Sequence, residues 1–354
     1  MNRPDVKALL QELVGIPSLS GREKAAADFM QQYVTSRGVE VERVDDNIYF
    51  WLGEGDDVLL LSTHLDVVPP SGDHPFDPFT PAEMDGHIYG RGAVDAKASA
   101  AAMTVALLTT DIERFRPNGR VVVALTTCEE TGGTYNGLEA LLPHLPSISA
   151  ALVGEPTDLR PCIAQKGLLI LRVSARGRAA HAARAHLGEN AIEKAARDIV
   201  RCAALAFERE DPYLGYPTAT VTTIEGGSAR NVVPDECTFT LDLRSTPAYT
   251  HAELIAMVRA VLESDVQVHS ERLIPVSTPL DERIVRACRE AVPEAEPFGS
   301  PTASDWIFLA DVPAVKIGPG SSELSHTAGE KIAVDELHRA VNVYRTIIES
   351  YFDL

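Results

Sequence analysis

Three apolar runs, at residues 58–61, 121–125 and 150–153, are continuous rather than alternating. A strand with one face in water alternates apolar and polar side chains, so continuous runs require a sheet covered on both faces. The cover is visible too. Residues 5–14 place Val6, Leu9, Leu10 and Leu13 on one helical face, and the Ala-rich stretch 96–110 predicts a buried helix. Ser20 and Glu23 have the spacing of a capping box that opens a second helix ending near Gly38. Helices alternating with buried strands give an α/β sheet, in which ligands sit at the carboxyl ends of the strands. All three runs end in ionisable residues: His64 and Asp66, Glu129 and Glu130, and Glu155.

The pattern changes at about residue 168. Strand, helix, two strands, helix and strand follow in turn, the βαββαβ order of a ferredoxin-like α+β sandwich. A helix at 280–291, a strand near 313–320 and a closing helix from 334 then restore the earlier character. The expected organisation is an α/β domain formed by residues 1–167 and 277–354, interrupted by an inserted domain at 168–276.

Composition narrows the function. A length of 354 residues suits two domains at about 150 residues each. The formal charge of −19 argues against nucleic acid and anionic membranes as partners, since both demand Lys/Arg clusters. It is compatible with attraction of a cationic substrate, or with a generally acidic surface of the kind that accompanies adaptation to salt. The first residues lack the apolar core of a signal peptide, and no apolar run reaches the roughly 18 residues of a membrane span. A cytoplasmic location is expected. Cys128, Cys162, Cys202, Cys237 and Cys288 are scattered without a CxxC pair and read as reduced thiols. Cys128 beside Glu129 admits a nucleophilic reading as well as that of a small strand residue.

Two residues apart on a strand, His64 and Asp66 share a face. A carboxylate next to a metal-bound imidazole fixes its tautomer; a buried polar pair is the plainer alternative. Asp95 opens the Ala-rich helix, where a simple N-cap is the plainer reading. Glu129 and Glu130 are adjacent carboxylates at a strand tip, costly to bring together unless cations hold them. Consecutive side chains diverge, so one can ligate while the other stands off as a base. In the loop before His326, Glu323 is a candidate partner for a distal substrate ammonium group.

The segments THLDVVP, GRGAVDAK, EETGG, GEPT and SHT, in that order, resemble the motifs of the dinuclear-zinc aminoacylase and deacylase family. The resemblance spans essentially the whole chain and looks nearest to the acetylornithine deacetylase branch. It implies a zinc-peptidase-like catalytic domain with a mixed sheet covered by helices, and an inserted lid and dimerisation domain. It further implies two Zn²⁺ per subunit, with Co²⁺ as a possible substitute. His64 and Glu155 would hold one ion, Glu130 and His326 the other, and Asp95 both. Asp66 would orient His64, Glu129 would be the general base, and a cis peptide is expected at Asp95–Ala96. His181 would serve the oxyanion across a homodimer interface, although Ala182 and Ala183 follow it where the family usually has serines. Asn231 and Arg244 match substrate-binding positions, with Arg244 on the α-carboxylate, and Lys166 and residues 300–305 are candidates for the pocket lining. The implied reaction is removal of an acyl group, foremost acetyl, from the α-nitrogen of a basic amino acid such as N-acetylornithine, in arginine biosynthesis. Succinyl-ornithine, acetyl-citrulline, acetyl-lysine, succinyl-diaminopimelate and dipeptides are alternative substrates. A non-catalytic binding or regulatory homologue is the alternative of a different class.

Overall fold

The computed structural model describes residues 4–72, 74–114, 118–131 and 135–353. Two compact units divide the chain: Met1–Ile163 with Thr278–Phe298 and Ser304–Leu354, and Ala164–Ser277 with Gly299–Ala303. Among the described residues, no helix is long and apolar enough to cross a membrane.

The first unit opens with α1 (Val6–Val14), capped by Asp5, whose carboxylate accepts the N–H groups of Lys7 and Ala8. Helix α2 (Lys24–Thr35) follows, without the expected capping box. Ser20 Oγ donates instead to Asp66 Oδ2 at 2.7 Å, and Glu23 Oε1 accepts from Gly21 N at 2.9 Å and Cys128 N at 3.0 Å. Both side chains are committed to loops beyond the helix. Strands β1 (Val41–Val44), β2 (Asn47–Gly53) and β3 (Asp57–His64) come next, then α3 (Lys97–Thr109), β4 (Gly119–Thr126), β5 (Ala150–Val153) and β6 (Cys162–Gln165).

The second unit contributes β7 (Gly167–Arg176), α4 (Ala191–Ala203), β8 (Thr218–Gly226), β9 (Glu236–Ser245), α5 (His251–Val261) and β10 (Asp265–Leu273). Returning to the first unit, the chain forms α6 (Arg283–Ala291), β11 (Ala314–Lys316) and α7 (Val334–Asp353).

The sheet of the first unit runs in the order β1-β2-β4-β3-β5-β11-β6. β3 is parallel to both β4 and β5, with His64 beside Thr126 and Ser62 beside Val153. The carboxyl ends of the three apolar runs therefore emerge side by side. Helix α3 is buried on every face from Lys97 to Leu107, which explains its run of small alanines: larger side chains would hold α1 and α7 away.

The sheet of the second unit runs β8-β9-β7-β10 with every neighbour antiparallel, the ferredoxin-like order. Burial alternates along β7 and β9, with Leu169, Leu171, Val173, Phe239, Leu241 and Leu243 packed toward α4 and α5. β8 is an edge strand.

Candidate dinuclear metal site

At the end of β3, His64 is fully buried and its Nδ1 lies 2.9 Å from the Asp66 carbonyl oxygen. That contact favours the tautomer that leaves Nε2 as the ligating atom. Nε2 points at Asp95 Oδ1, 3.3 Å away, and at Glu155 Oε1, 3.8 Å away. The other oxygen of Asp95 lies 3.5 Å from His326 Nε2, which is also 2.9 Å from Glu130 Oε1. Asp95 thus offers one oxygen to each imidazole. Glu155 neighbours the first of these imidazoles and Glu130 the second.

Asp95 does not act as an N-cap. Ala96 holds the cap position of α3 without a side-chain bond, and the Asp95–Ala96 peptide is cis. Asp66, fully buried, accepts the backbone N–H of Glu129 at 3.1 Å and that of Glu130 at 3.0 Å. One carboxylate thereby places both the expected base and an expected ligand. Gly132 and Gly133 of the EETGG segment lie outside the described residues.

The electrostatics show what this cluster lacks. Burial, then the charge of Glu155, pushes the Glu129 carboxyl well above the usual range. Burial and the neighbouring Asp95 push Glu155 up to about 8. Asp305, driven by burial, rises to about 6. Burial opposes a charged imidazole at His64, yet Asp66, Asp95 and their neighbours hold its pKa well above the ordinary value. Carboxylates crowded at one point favour bound protons or bound cations. Ligand atoms of His64, Asp95 and Glu130 all lie within 4.8 Å of one another, a spacing that a metal ion can span. The donor set of imidazoles and carboxylates fits zinc, cobalt or manganese.

The roles of three residues around the site escaped the sequence reading, although all three lie in segments it singled out. Asp305 is buried and accepts Asn136 Nδ2 at 2.6 Å, with Thr126 Oγ1 at 3.4 Å. Ser20 and Arg91 also serve the site. Only three-dimensional proximity could have revealed them. The Cys128 thiol is pushed up to about 11 by burial and Glu23, which removes it as a nucleophile at neutral pH.

Glu323 is exposed on the short helix Ser322–Leu324. The remaining expected residues belong to the second unit. His181 is exposed in a two-residue strand paired with Val232–Val233, and its Nδ1 accepts Ala183 N at 3.1 Å. The Asn231 carbonyl accepts Ala182 N at 2.9 Å, so Asn231 and His181 are held together. Arg244 forks onto Asp242, with Nε and Nη2 donating at 2.9 and 3.2 Å. Lys166 Nζ donates to the Tyr216 carbonyl at 2.8 Å.

Comparison with known proteins agrees with this architecture. The chain is 30% identical to the succinyl-diaminopimelate desuccinylase of Rhodospirillum centenum, over 99% of this chain and 98% of that one. It is 26% identical to the enzyme of the same name from Wolbachia pipientis wMel, over 99% and 94%. These relatives do not carry the acetylornithine deacetylase name that the motifs suggested. The crystal structure of aminopeptidase PepT from Bacillus cereus has a TM-score of 0.79 at 22% identity, covering 99% of each chain, a likeness of fold. Residues 60–350 match the sequence family described as peptidase family M20/M25/M40, and with this fold and metal-type cluster the chain belongs to that family.

Proposed function

We propose that the chain is a dinuclear metal-dependent amidohydrolase that removes the acyl group from an N-acyl amino acid, with N-succinyl-diaminopimelate as substrate. The observation that carries the reaction class is the division of the two Asp95 oxygens between His64 and His326. Two Zn²⁺ or Co²⁺ ions would be held by His64, Glu155 and Asp95, and by Glu130, His326 and Asp95. When bound, such ions supply Lewis-acid activation of water and of the scissile carbonyl. Glu129 takes the proton from the attacking water and returns it to the leaving amine. Asp66 fixes the position of Glu129 and the orientation of His64. His181, from a partner subunit, donates to the developing oxyanion, while Asn231 and Arg244 hold the substrate and Glu323 meets its distal ammonium.

The acyl and amino-acid preference rests on different support. The curated relatives bear the name succinyl-diaminopimelate desuccinylase, which favours that alternative over N-acetylornithine and over a place in arginine biosynthesis. Succinyl-diaminopimelate carries several carboxylates, whereas N-acetylornithine carries a single one. Lys166 and Arg244 suit the richer anion, since after burial the charge of Arg244 helps to lower the Lys166 pKa, as adjacent cations do. The test is one purified preparation with two bound ions, assayed against both substrates, succinyl-ornithine, acetyl-citrulline, acetyl-lysine and a dipeptide. The highest kcat/KM is expected on succinyl-diaminopimelate. Faster turnover of N-acetylornithine would return the chain to the acetyl branch, and a dipeptide preference would overturn the deacylase reading.

A further inference from the structure

A second buried charge pair lies behind the ligand cluster. Arg91 and Glu330 are nearly inaccessible, and Arg91 Nη1 donates to Glu330 Oε2 at 2.6 Å. The remaining arms of this pair reach two expected ligands. Glu330 Oε1 accepts the backbone N–H of Val94 at 3.0 Å and of Asp95 at 3.1 Å. Arg91 Nη2 donates to the His326 carbonyl at 3.2 Å. His326 has φ +65°, a left-handed conformation uncommon for residues other than glycine, and so depends on outside contacts to stay there.

We propose that the Arg91–Glu330 pair is a positioning device that sets the spacing between Asp95 and His326, and through it the site of the second ion. A buried ion pair is weak grounds for stability alone, because desolvation consumes much of its Coulomb attraction. Here Arg91 Nη2 is spent on the backbone of His326, and Glu330 Oε1 on the backbone of Val94 and Asp95. Arg91 and Asp95 share one segment before α3, His326 and Glu330 share a loop far along the chain, and each member of the pair reaches across to the ligand of the other segment. This inference rests on the dinuclear reading above.

The test is a titration of the metal-stripped full chain with Co²⁺, following visible absorption and stepwise affinity, for wild type, Arg91→Lys and Glu330→Ala. Arg91→Lys keeps a charge for Glu330 but loses the fork to His326. It is expected to weaken the second ion about ten- to a hundred-fold, the usual range for outer-sphere ligand supports, and to leave the first unchanged. Glu330→Ala releases Asp95, which both ions share, and is expected to weaken both. Should a single variant fail to fold, Arg91→Met combined with Glu330→Gln leaves no lone buried charge and is expected to lose the second ion selectively. Wild-type affinities and an unchanged Co²⁺ spectrum in the variants overturn the proposal. So does equal weakening of both ions by Arg91→Lys, which marks a staple of the fold. If wild type binds fewer than two ions, the dinuclear reading itself fails; if His326→Ala retains both ions, His326 is no ligand and the positioning proposal fails.

Discussion

Asp66 Oδ1 accepts the backbone N–H of Glu129 at 3.1 Å, so the residue beside His64 also sets where the expected base stands. Its Oδ2 accepts Glu130 N at 3.0 Å and Ser20 Oγ at 2.7 Å. Asp66→Asn replaces one acceptor oxygen by an N–H₂ group facing a donor, and so must displace Glu129 or Glu130. Metal affinity is expected to fall about 10–100-fold, with kcat falling further because base and ligand move together. Equilibrium dialysis with zinc, beside steady-state kinetics, checks both. Unchanged metal affinity would confine Asp66 to the proton-transfer side of the site.

Glu129→Gln keeps the shape of the side chain and removes its basicity. It is expected to retain both ions while kcat drops about 10²–10⁴-fold, the range associated with loss of a general base. Chelation should abolish wild-type activity, and Zn²⁺ or Co²⁺ should restore it. The same additions should do nothing for Glu129→Gln. A variant that loses an ion would make Glu129 a ligand and leave the base unassigned.

Much of this site could be read from the sequence because strands are periodic and their ends are predictable. The continuous runs before His64, Glu129 and Glu155 require a doubly covered sheet, and a parallel register then brings their ends together. Side-chain oxygens near loops are harder to read. Ser20 and Glu23 have the spacing of a capping box, yet spacing does not say which N–H an oxygen will reach, and both were taken by other loops. Arg91 and Glu330 are 239 positions apart, so no local pattern connects them. Substrate choice is harder to read for a related reason: it depends on a few contacts, each worth little in the overall resemblance.

Asp198 gives a test of stability away from the metals. Its side chain is fully buried and accepts Glu263 N at 3.1 Å, Ser264 N at 3.0 Å and Arg201 Nη1 at 2.9 Å. Burial alone would raise its pKa, but the donors of Ser264, Glu263 and Arg201 outweigh it and hold the carboxyl below its ordinary value. A depressed carboxylate stabilises the fold above its unfolded pKa of about 3.9, and that contribution disappears as pH falls through the folded value. Asp198→Asn is expected to cost about 1–3 kcal/mol at neutral pH. The gap in Tm between variant and wild type should narrow below about pH 4. A gap that stays constant across that window would show that the charge of Asp198 contributes nothing.

The second unit presents features suited to pairing with a second copy. β8 is an edge strand whose Ile224 is 52% exposed, and Val200 on α4 is 69% exposed. An unpaired antiparallel edge can meet its own twofold mate, with apolar neighbours closing over the joint. The chain is therefore expected to sediment as a dimer, and Val200→Glu with Ile224→Lys to sediment as a monomer with little activity. Complementation addresses His181 directly. Glu129→Ala and His181→Ala homodimers should each be nearly inactive. If His181 serves the partner's site, a mixed dimer holds one site with its own Glu129 and with His181 from the Glu129→Ala chain. Activity should then return after subunit exchange. Full exchange, verified by mass-tagged subunits, with no recovery would place His181 outside the reaction or within its own subunit's site, and an active monomer would do the same.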